Sequence, residues 1–465
     1  MNTIFVNLDK TTGKIKPLHG VCCAPYEPYY GSKQPKIDKY FKEGHIPFCR
    51  LHDCLGRYGG THYIDIPNIF PDFSADETDP ASYDFYYSDE YIKAIQESGC
   101  EAYYRLGVTI DHGSKKYTTQ APPDFKKWAR ICEHIIMHYN RGWANGFTFG
   151  IQYWEIWNEP ENPGNDFGPA MWAGTREEFY ELYRISSKYL KQKFPEIRIG
   201  GYGSCGFYTL TRNNCPDSYN DFVPYFTDFL KMVREKDCPL DFFSWHIYTD
   251  DEKELLTHAR YVRETLDDYG FENTESHLNE WNYNSEGEGF AEKHTMAGAS
   301  FDAAVLSILQ NTSYVDKAMY YCFSSKAAYN GFLNQNDGSV DPPWYSFVAF
   351  GRLYELGNCA EILNNHERLY AVAAKNEDRC AILISNFMCE EDNITLRIDG
   401  LHENEKITLK LLTTDEKLST IFTVLVSKQT TISFRCPRQT VVLLEGSNGE
   451  KTRLSAEGEI RKIQN

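Results

Sequence analysis

Two glutamates in this 465-residue chain each end a short, mostly apolar run and are flanked by Trp and Asn. Glu159 lies in Trp154-Glu-Ile-Trp-Asn-Glu-Pro160, and Glu280 lies in His277-Leu-Asn-Glu-Trp-Asn282. Apolar neighbours keep one carboxyl group protonated and hydrogen-bond donors keep another ionised, so two glutamates facing one substrate can act as acid and nucleophile. This division of roles is the chemistry of glycoside hydrolysis. The alternative interpretation is that both are solvated acids among the 66 Asp and Glu.

These glutamates are positioned by a repeated alternation of short β-forming runs and longer stretches with helical periodicity. Eight such units over residues 17–357 predict a (β/α)8 TIM barrel, in which catalytic side chains lie at the C-terminal ends of the strands. A doubly wound open sheet shows the same alternation and remains the alternative fold. The predicted barrel strands are Leu18–Cys22, Ile46–His52, Glu101–Leu106, Ile151–Glu159, Ile197–Gly203, Asp241–Tyr248, Ser276–Trp281 and Lys317–Ser324.

Capping signals locate two of the helices between these strands. Asp124 follows two prolines and begins a helix whose apolar residues recur at i, i+3 and i+4. Thr175-Arg-Glu-Glu178 is a capping box that begins a second helix, which ends before Pro195. Further helices are predicted over 86–99, 222–236, 254–269, 291–312 and 344–357.

The hydrophobic period changes after residue 357. Short alternating runs separated by Asn, Asp, Gly or charged turns predict an antiparallel β-sandwich over 358–446. The run Thr3–Leu8, within residues 1–16, predicts a strand that joins this sandwich, and residues 447–465 read as a polar tail. The predicted sandwich strands are Leu369–Ala374, Cys380–Ser385, Ile394–Ile398, Ile407–Leu412, Phe422–Val426, Thr431–Arg435 and Thr440–Leu444.

Composition argues against several classes of partner. The formal net charge of −18 repels nucleic acid and anionic membrane surfaces. No run approaches the roughly 20 apolar residues that span a membrane. Residues 1–10 lack the basic and apolar pattern of a secretion signal, so we expect a cytoplasmic protein with reduced thiols. Among these, Cys22 and Cys23 are expected to be buried.

Arg50 and His52 alternate at the end of the second predicted strand and therefore point to one face. An arginine there can keep Glu280 ionised. The same segment, Cys49-Arg-Leu-His-Asp-Cys54, contains residue types that bind metals, which leaves a metal-dependent barrel hydrolase as an alternative. Strand alternation directs Cys49 and His52 to opposite faces, and no second Cys/His pair follows at ligand spacing. We therefore expect neither a metal nor a cofactor.

Three motifs together resemble glycoside hydrolase family 39, the β-xylosidase and α-L-iduronidase family of the clan of retaining (β/α)8 glycosidases. They are Ile156-Trp-Asn-Glu-Pro160 at strand 4, Phe242-Phe-Ser-Trp-His-Ile-Tyr248 at strand 6 and Leu278-Asn-Glu-Trp281 at strand 7. The segments Gly331–Gly338 and Pro342–Phe347 resemble the strand 8 loop and last helix of the family. The resemblance thus covers the whole barrel, and family members also carry a C-terminal all-β domain.

The resemblance implies a role for each residue of the site. Glu159 is implied as the general acid/base, protonated at rest, and Glu280 as the nucleophile. Asn158 is implied to hydrogen-bond the sugar 2-hydroxyl in the −1 subsite, and Tyr248 to hold the Glu280 carboxylate ionised and correctly aimed. Two further residues are implied to line the same floor: His246 and Arg50.

Aromatic residues make up 15% of the chain, and sugar rings stack on aromatic side chains. From their places at strand ends we expect Trp281 and Tyr321 to contact substrate, together with His52 on the floor. The chain departs from the family at Tyr321-Cys-Phe-Ser-Ser325, where family members commonly show Trp-x-Phe-Ser-Asp. The loop Gly56–Asp65 is also long and aromatic. Both departures lie where sugar subsites are built, so the chemistry is better specified than the sugar.

The resulting prediction is a retaining exo-glycosidase, β-xylosidase-like, that releases non-reducing-end sugars from short plant-type oligosaccharides by double displacement. This mechanism requires carboxyl groups roughly 5–5.5 Å apart. The alternatives are the same machinery acting on α-L-arabinosides, β-galactosides, β-glucosides or iduronides, and a catalytically inactive sugar-binding barrel. The expected ligand is an oligosaccharide. All-β appendages mediate self-association in many such enzymes, which leaves a homo-oligomer open.

Overall fold

The structure is a computed structural model of the chain. It describes residues 2–23, 25, 37–52, 64–109, 118–165, 168–283, 289–323, 331–333, 338–412 and 417–447. Several predicted features lie outside these residues: Cys54, residues 56–63 of the aromatic loop, Ser324, Ser325, residues 334–337 and the tail 448–465.

The strands of the described chain are, in order, β1 Asn2–Lys14, β2 Gly20–Cys22, β3 Phe48–Arg50, β4 Glu101–Leu106, β5 Tyr153–Ile156, β6 Gly164–Asn165, β7 Gly168–Pro169, β8 Arg198–Ser204, β9 Phe242–Thr249, β10 Glu275–Tyr283, β11 Lys317–Tyr320, β12 Asn358–Leu363, β13 Leu369–Lys375, β14 Arg379–Asn386, β15 Asn393–Asp399, β16 Glu405–Leu412, β17 Ser419–Val426, β18 Gln429–Arg435 and β19 Thr440–Ser447. The helices are α1 Asp38–Glu43, α2 Ile66–Ile69, α3 Tyr86–Glu97, α4 Phe125–Arg141, α5 Arg176–Lys193, α6 Phe222–Glu235, α7 Glu252–Asp268, α8 Gly289–Glu292, α9 Met296–Gln310 and α10 Pro343–Leu356. Short 3₁₀ turns lie at Pro80–Ser82, Trp143–Asn145, Tyr208–Leu210 and Asp217–Asp221.

Eight strands of the described chain close into a barrel. In order around it they are β2, β3, β4, β5, β8, β9, β10 and β11, and each is parallel to its neighbours. Parallel neighbours require crossover connections, and helices supply them here. The closed barrel confirms the predicted (β/α)8 fold and excludes the open doubly wound sheet.

The two predicted capping signals are confirmed. The Asp124 carboxylate accepts from the backbone N–H groups of Lys126 and Lys127 at the start of α4. The capping box at the start of α5 is complete, because Thr175 and Glu178 each accept a hydrogen bond from the other's backbone N–H. The end of α5 falls at Lys193, before Pro195 as predicted.

Alternation along the barrel strands produces two layers of inward side chains. The lower layer is aromatic, with ring centroids 4.7–5.8 Å apart, and consists of Tyr103, Tyr153, Phe242 and His277. A polar layer lies nearer the mouth, formed by Arg50 of β3 and by Glu155, Ser244 and Asn279, which follow Tyr153, Phe242 and His277 by two residues. The residues that alternate with these two layers, such as Trp154 and Trp245, face outward into the core shared with the helices.

The C-terminal strands and β1 form one nine-stranded sheet of the described chain, in the order β17-β16-β19-β14-β13-β12-β1-β15-β18. Its neighbours are antiparallel except for β1 and β15. Ile4 of β1, Ile384 of β14 and Ile394 of β15 are fully buried in one hydrophobic core, which indicates that the sheet folds back on itself. This packing is the predicted sandwich. Its other face packs on the barrel through α9, where Ser385 Oγ donates to the carbonyl of Ser300 at 2.6 Å.

Two strands of this sheet differ from the prediction. β1 runs to Lys14 rather than Leu8, because the polar residues after Leu8 continue along β12 through two irregularities in the pairing register. β12 was not predicted, since Asn358-Cys-Ala-Glu-Ile-Leu363 shows no regular alternation. No helix among the described residues is both long and apolar enough to cross a bilayer.

Candidate active site

Glu159 lies just beyond β5, where the backbone leaves the strand through an unusual conformation. Trp157 and Glu159 have φ angles of +73° and +46°, which non-glycine residues rarely adopt. The backbone N–H of Glu159 donates to the carbonyl of Gly203 at 2.9 Å, which holds the turn against β8. Strain of this kind persists where the surrounding structure fixes it, and it is common at functional sites. Here it directs the Glu159 side chain into the barrel mouth.

Glu280 reaches the mouth through a β-bulge in β10. Leu278 pairs with Trp245 and Glu280 pairs with His246, so Asn279 is an extra residue in the ladder. Regular alternation after His277 and Asn279 would turn Glu280 outward. The bulge instead allows Asn279 and Glu280 both to face the interior, which is how bulges re-aim side chains beside active sites.

The two carboxylates face one another across the mouth. An oxygen of Glu159 and an oxygen of Glu280 lie within 4.8 Å of each other. His246 Nδ1 lies 2.8 Å from Glu159 Oε1 and 3.6 Å from Glu280 Oε2. Glu159 is 6% exposed and Glu280 is 4% exposed. The pair is therefore nearly desolvated, so neighbouring groups act strongly on the protonation of both carboxyl groups.

Each oxygen of Glu280 accepts a short hydrogen bond. Arg50 Nη1 donates to Oε1 at 2.6 Å, and the hydroxyl of Tyr248 donates to Oε2 at 2.6 Å. His52 Nε2 lies 3.7 Å from Oε1. Burial lowers the pKa of Arg50, but Glu155 and Glu280 beside it raise that pKa well above its usual value. These cationic and hydroxyl donors stabilise an ionised Glu280 carboxylate.

Glu159 is paired with His246, whose Nδ1 lies 2.8 Å from Oε1 of the glutamate. Burial raises the pKa of Glu159, but the hydrogen bond from His246, its charge, Asn162 and Arg50 together bring that pKa below the ordinary value. Burial lowers the pKa of His246, but Glu280 and Glu159 more than offset this and raise it. Both pKa directions favour a proton on His246 over one on Glu159, whereas the sequence predicts a Glu159 that is protonated at rest.

Asn158 lies at the floor of the mouth, beside Arg50. Its Oδ1 accepts from Arg50 Nη2 at 2.7 Å, which fixes the orientation of the amide. Its buried Nδ2 has no hydrogen-bond partner among the residues that the structure describes. Gly203 allows this arrangement, because it has φ +63° and a Cβ there would lie 3.1 Å from Asn158 Oδ1 and 3.2 Å from Arg50 Nη2. The amide of Asn158 is therefore held in one orientation, with its Nδ2 donor unused.

The two aromatic predictions have different outcomes. The ring of Tyr321 faces the mouth, with its centroid 6.3 Å from those of Tyr248 and His52. Trp281, in contrast, is fully buried and stacks on Phe347 of α10. The prediction that Trp281 lines the sugar pocket is therefore wrong, because the bulge that turns Glu280 inward turns the next residue outward.

Three residues around the two glutamates were not among the predicted site residues: Glu155, Glu161 and Cys205. Glu155 lies wholly buried beneath Arg50 and accepts from its Nε at 2.7 Å. Glu161 accepts from Ser204 Oγ and the Cys205 backbone N–H, each at 2.7 Å, and burial raises its pKa to about 7. A signal for Glu155 was present, since a charged residue alternates there with Trp154 and Ile156 in a barrel strand. Cys205 and Glu161 follow strand ends and carry no such signal.

Glu159, His246 and Glu280 are also the one group of described residues with spacing suited to a metal ion. These residues do not fit a metal ion, because the carboxylate oxygens that would bind it already accept hydrogen bonds. Arg50 and Tyr248 each contact one oxygen of Glu280. His246 and Asn162 each contact one oxygen of Glu159. The other candidate segment offers no alternative among described residues, since Cys49 faces the outer core.

Two buried glutamates that face each other at the C-terminal mouth of a (β/α)8 barrel define the architecture of a glycoside hydrolase. Residues 57–342 match the model of glycosyl hydrolases family 39, and the chain belongs to this family. It is 23% identical over 311 residues to a β-xylosidase of Geobacillus stearothermophilus, a match that covers 60% of this chain and 55% of the relative. The chain thus spans about half the length of that relative.

Solved structures share the whole fold. A glucosidase from Croceicoccus marinus superposes with a TM-score of 0.78 at 23% identity, covering 96% of this chain and 99% of the other. A monomeric β-xylosidase from Caulobacter crescentus superposes with a TM-score of 0.68 at 15% identity, covering 97% of this chain and all of the other. At these identities the likeness establishes the barrel with its β-sandwich.

Proposed function

We propose that this protein is a retaining exo-glycosidase that hydrolyses β-xylosides or closely related glycosides of short oligosaccharides. The observation that carries the proposal is the approach of Glu159 and Glu280 within 4.8 Å between carboxylate oxygens. Retaining enzymes place their carboxyl groups about 5–5.5 Å apart, whereas inverting enzymes need roughly 6.5–9.5 Å to admit a water molecule. An approach this close favours double displacement.

In the first step Glu280 attacks the anomeric carbon. The new bond joins a Glu280 oxygen to that carbon while the bond to the leaving oxygen breaks, and the electron pair of that bond goes to the leaving oxygen. Glu159 donates a proton to that oxygen. Because His246 Nδ1 lies 2.8 Å from Glu159 Oε1, the proton held by the pair reaches the carboxylate in a single transfer.

In the second step Glu159 acts as the base. Its carboxylate takes a proton from water as the water oxygen attacks the anomeric carbon, and the ester bond to Glu280 breaks. Arg50 and Tyr248 donate hydrogen bonds that stabilise the negative charge of the Glu280 carboxylate as it leaves. Asn158 Nδ2 donates to the sugar 2-hydroxyl, a contact that strengthens in the transition state.

The sugar is proposed from the relatives. The β-xylosidase relatives favour a xyloside, and the glucosidase neighbour makes a glucoside the first alternative. A panel of nitrophenyl xylosides, arabinosides, galactosides, glucosides and iduronides tests this, with the anomer of the first product followed by NMR. We expect hydrolysis of the β-xyloside with a β-configured first product. An α-configured first product would contradict double displacement, and sugar binding without hydrolysis of any member would indicate an inactive binding protein.

A further inference from the structure

Arg50 lies between two carboxylates rather than one. Its guanidinium is fully buried, with Nε 2.7 Å from Glu155 Oε2 and Nη1 2.6 Å from Glu280 Oε1. Glu280 lies at the mouth and Glu155 lies one layer below it, in the polar layer of the barrel. One buried cation therefore serves two anions, and its charge is divided between them.

Glu155 cannot contact a substrate. It is fully buried, and its second oxygen accepts from Ser244 Oγ and Asn279 Nδ2, each at 2.6 Å. These donors come from β9 and β10, the two strands that also carry Tyr248 and Glu280. Glu155 thus acts only through the groups that it holds, and Arg50 is the charged one among them.

The charge of Glu280 changes during the proposed reaction. When its oxygen bonds to the anomeric carbon, the carboxylate becomes a neutral ester, and Arg50 loses one of its two anionic partners. A buried guanidinium without a counter-charge is strongly unfavourable. Glu155 keeps Arg50 paired in that state. It also weakens the hold of Arg50 on the lone pairs of Glu280 before attack, because a cation shared by two anions stabilises each of them less.

We propose that Glu155 is a positioning residue for the nucleophile, which it aims and balances through Arg50. The proposal rests on the proposed role of Glu280.

Several titratable or charged groups of the described chain face Glu280. They are Cys22 of β2, Arg50 of β3, His52 beyond it, Glu159 beyond β5, Cys205 beyond β8, and His246 and Tyr248 of β9. Arg50 is the permanent cation of this group, so the charge of Glu155 reaches the nucleophile mainly through it.

The test compares two substitutions at one position. Glu155→Gln keeps the shape and removes the charge, and its amide is accommodated because the Ser244 hydroxyl can rotate and the Asn279 amide can flip. In this variant Arg50 has Glu280 as its one anionic partner and stabilises it more strongly. We therefore expect the acidic limb of the kcat/KM profile to move to lower pH by on the order of one unit. The value of kcat/KM at the optimum falls at least about tenfold, because the nucleophile is held more tightly. Glu155→Asp keeps the charge and is expected to leave the acidic limb in place.

Glu101→Gln is the matched control. Glu101 begins β4 at the opposite end of the barrel, where burial raises its pKa and Gln152 N–H donates to it. This variant is expected to retain the wild-type profile. A Glu155→Gln enzyme that is folded by circular dichroism, but has the wild-type acidic limb and kcat/KM, would overturn the proposal.

Two further measurements keep the outcome unambiguous. If Glu155→Gln is not recovered folded, Ser244→Ala removes one donor from Glu155 and strengthens its pull on Arg50, so the acidic limb should move to higher pH. An unmoved limb in that variant would also overturn the proposal. Failure of the proposed function is detected separately, because covalent labelling of the wild-type enzyme at Glu280 does not depend on Glu155.

Discussion

The hydroxyl of Tyr248 donates to Glu280 Oε2 over 2.6 Å, opposite the guanidinium of Arg50 on the other oxygen. Tyr248 belongs to β9, and its own backbone is held on both sides. Its N–H donates to the Tyr208 hydroxyl at 3.0 Å, and its carbonyl accepts from Arg212 Nη2 at 2.8 Å. The donor that aims the proposed nucleophile is therefore fixed in place before substrate binds.

Tyr248→Phe removes this donor without changing the packing of the ring. We expect kcat to fall on the order of a hundredfold, because one preorganised donor at the reacting centre is lost. The acidic limb of the pH profile should move to higher pH, since the ionised form of Glu280 loses a stabilising hydrogen bond. Tyr183→Phe, which removes a hydroxyl bonded to the Pro239 carbonyl far from the mouth, is the control. Equal profiles for both variants would refute the role of Tyr248.

Glu159→Ala should separate the two steps of the reaction. A glycoside with a good leaving group needs little acid assistance, so its first step survives while hydrolysis of the ester becomes slow for lack of a base. Added azide, which needs no base, should restore turnover and yield a glycosyl azide of retained configuration. In Glu280→Gly, azide should instead replace the nucleophile and yield the inverted glycosyl azide. NMR of the two products distinguishes the roles, and the same configuration from both variants would contradict them.

His246→Asn tests how Glu159 obtains its proton. The basic limb of the kcat/KM profile reports the loss of the single proton of the His246–Glu159 pair. Burial lowers the pKa of His246, but Glu280 and Glu159 outweigh this effect and raise it. The wild-type pair therefore keeps its proton to a higher pH than an ordinary histidine does. In the variant only a buried carboxyl group can hold it, and carboxyl groups titrate at lower pH.

The basic limb should therefore move to lower pH by more than about one unit in His246→Asn. His134→Gln on α4, whose ring contacts the Arg130 carbonyl outside the barrel, should keep the wild-type limb. A basic limb that stays in place in His246→Asn would show that His246 is not the proton partner of Glu159.

The N-terminal strand offers a matched test of the sandwich. Ile4 is fully buried between the halves of the sheet, whereas its neighbour Phe5 is 43% exposed on the other face. Ile4→Ala should lower the free energy of unfolding by about 2–5 kcal/mol, since the cavity it leaves cannot collapse fully. Phe5→Ala should cost much less. Urea denaturation followed by circular dichroism measures both, and equal costs would mean that β1 does not contribute to the core.

The sequence predicted the parts of the fold that depend on local patterns. Asp124 and Thr175 cap their helices through backbone N–H groups only two or three residues away. The eight strand–helix units are recognisable from their own hydrophobic periodicity. The exchange of faces at Glu280 and Trp281 was not predictable in this way, because the bulge at Asn279 is set by pairing with β9 and β11. Regular alternation from His277 and Asn279 places Trp281 inside, and the structure places it outside.

The missed contacts around Arg50 have a similar cause. Arg50 and Glu155 are 105 residues apart, and their 2.7 Å contact depends on the curvature that closes the barrel. Sequence alternation indicated that Arg50 faces inward, and the same test applied to β5 would have indicated Glu155. The raised pKa of His246 could not be predicted from sequence, because it depends on the balance between burial and two nearby carboxylates.

The central claim is that Glu280 forms a covalent bond to the sugar. The most direct measurement uses the dinitrophenyl 2-deoxy-2-fluoro derivative of the sugar that the panel selects, since the fluorine slows hydrolysis of the ester and the good leaving group allows it to form. We predict that intact-mass analysis detects one fluoroglycosyl group per chain and that peptide mapping locates it on Glu280. A label on another residue, or no label on an enzyme that hydrolyses the parent glycoside, would contradict the account.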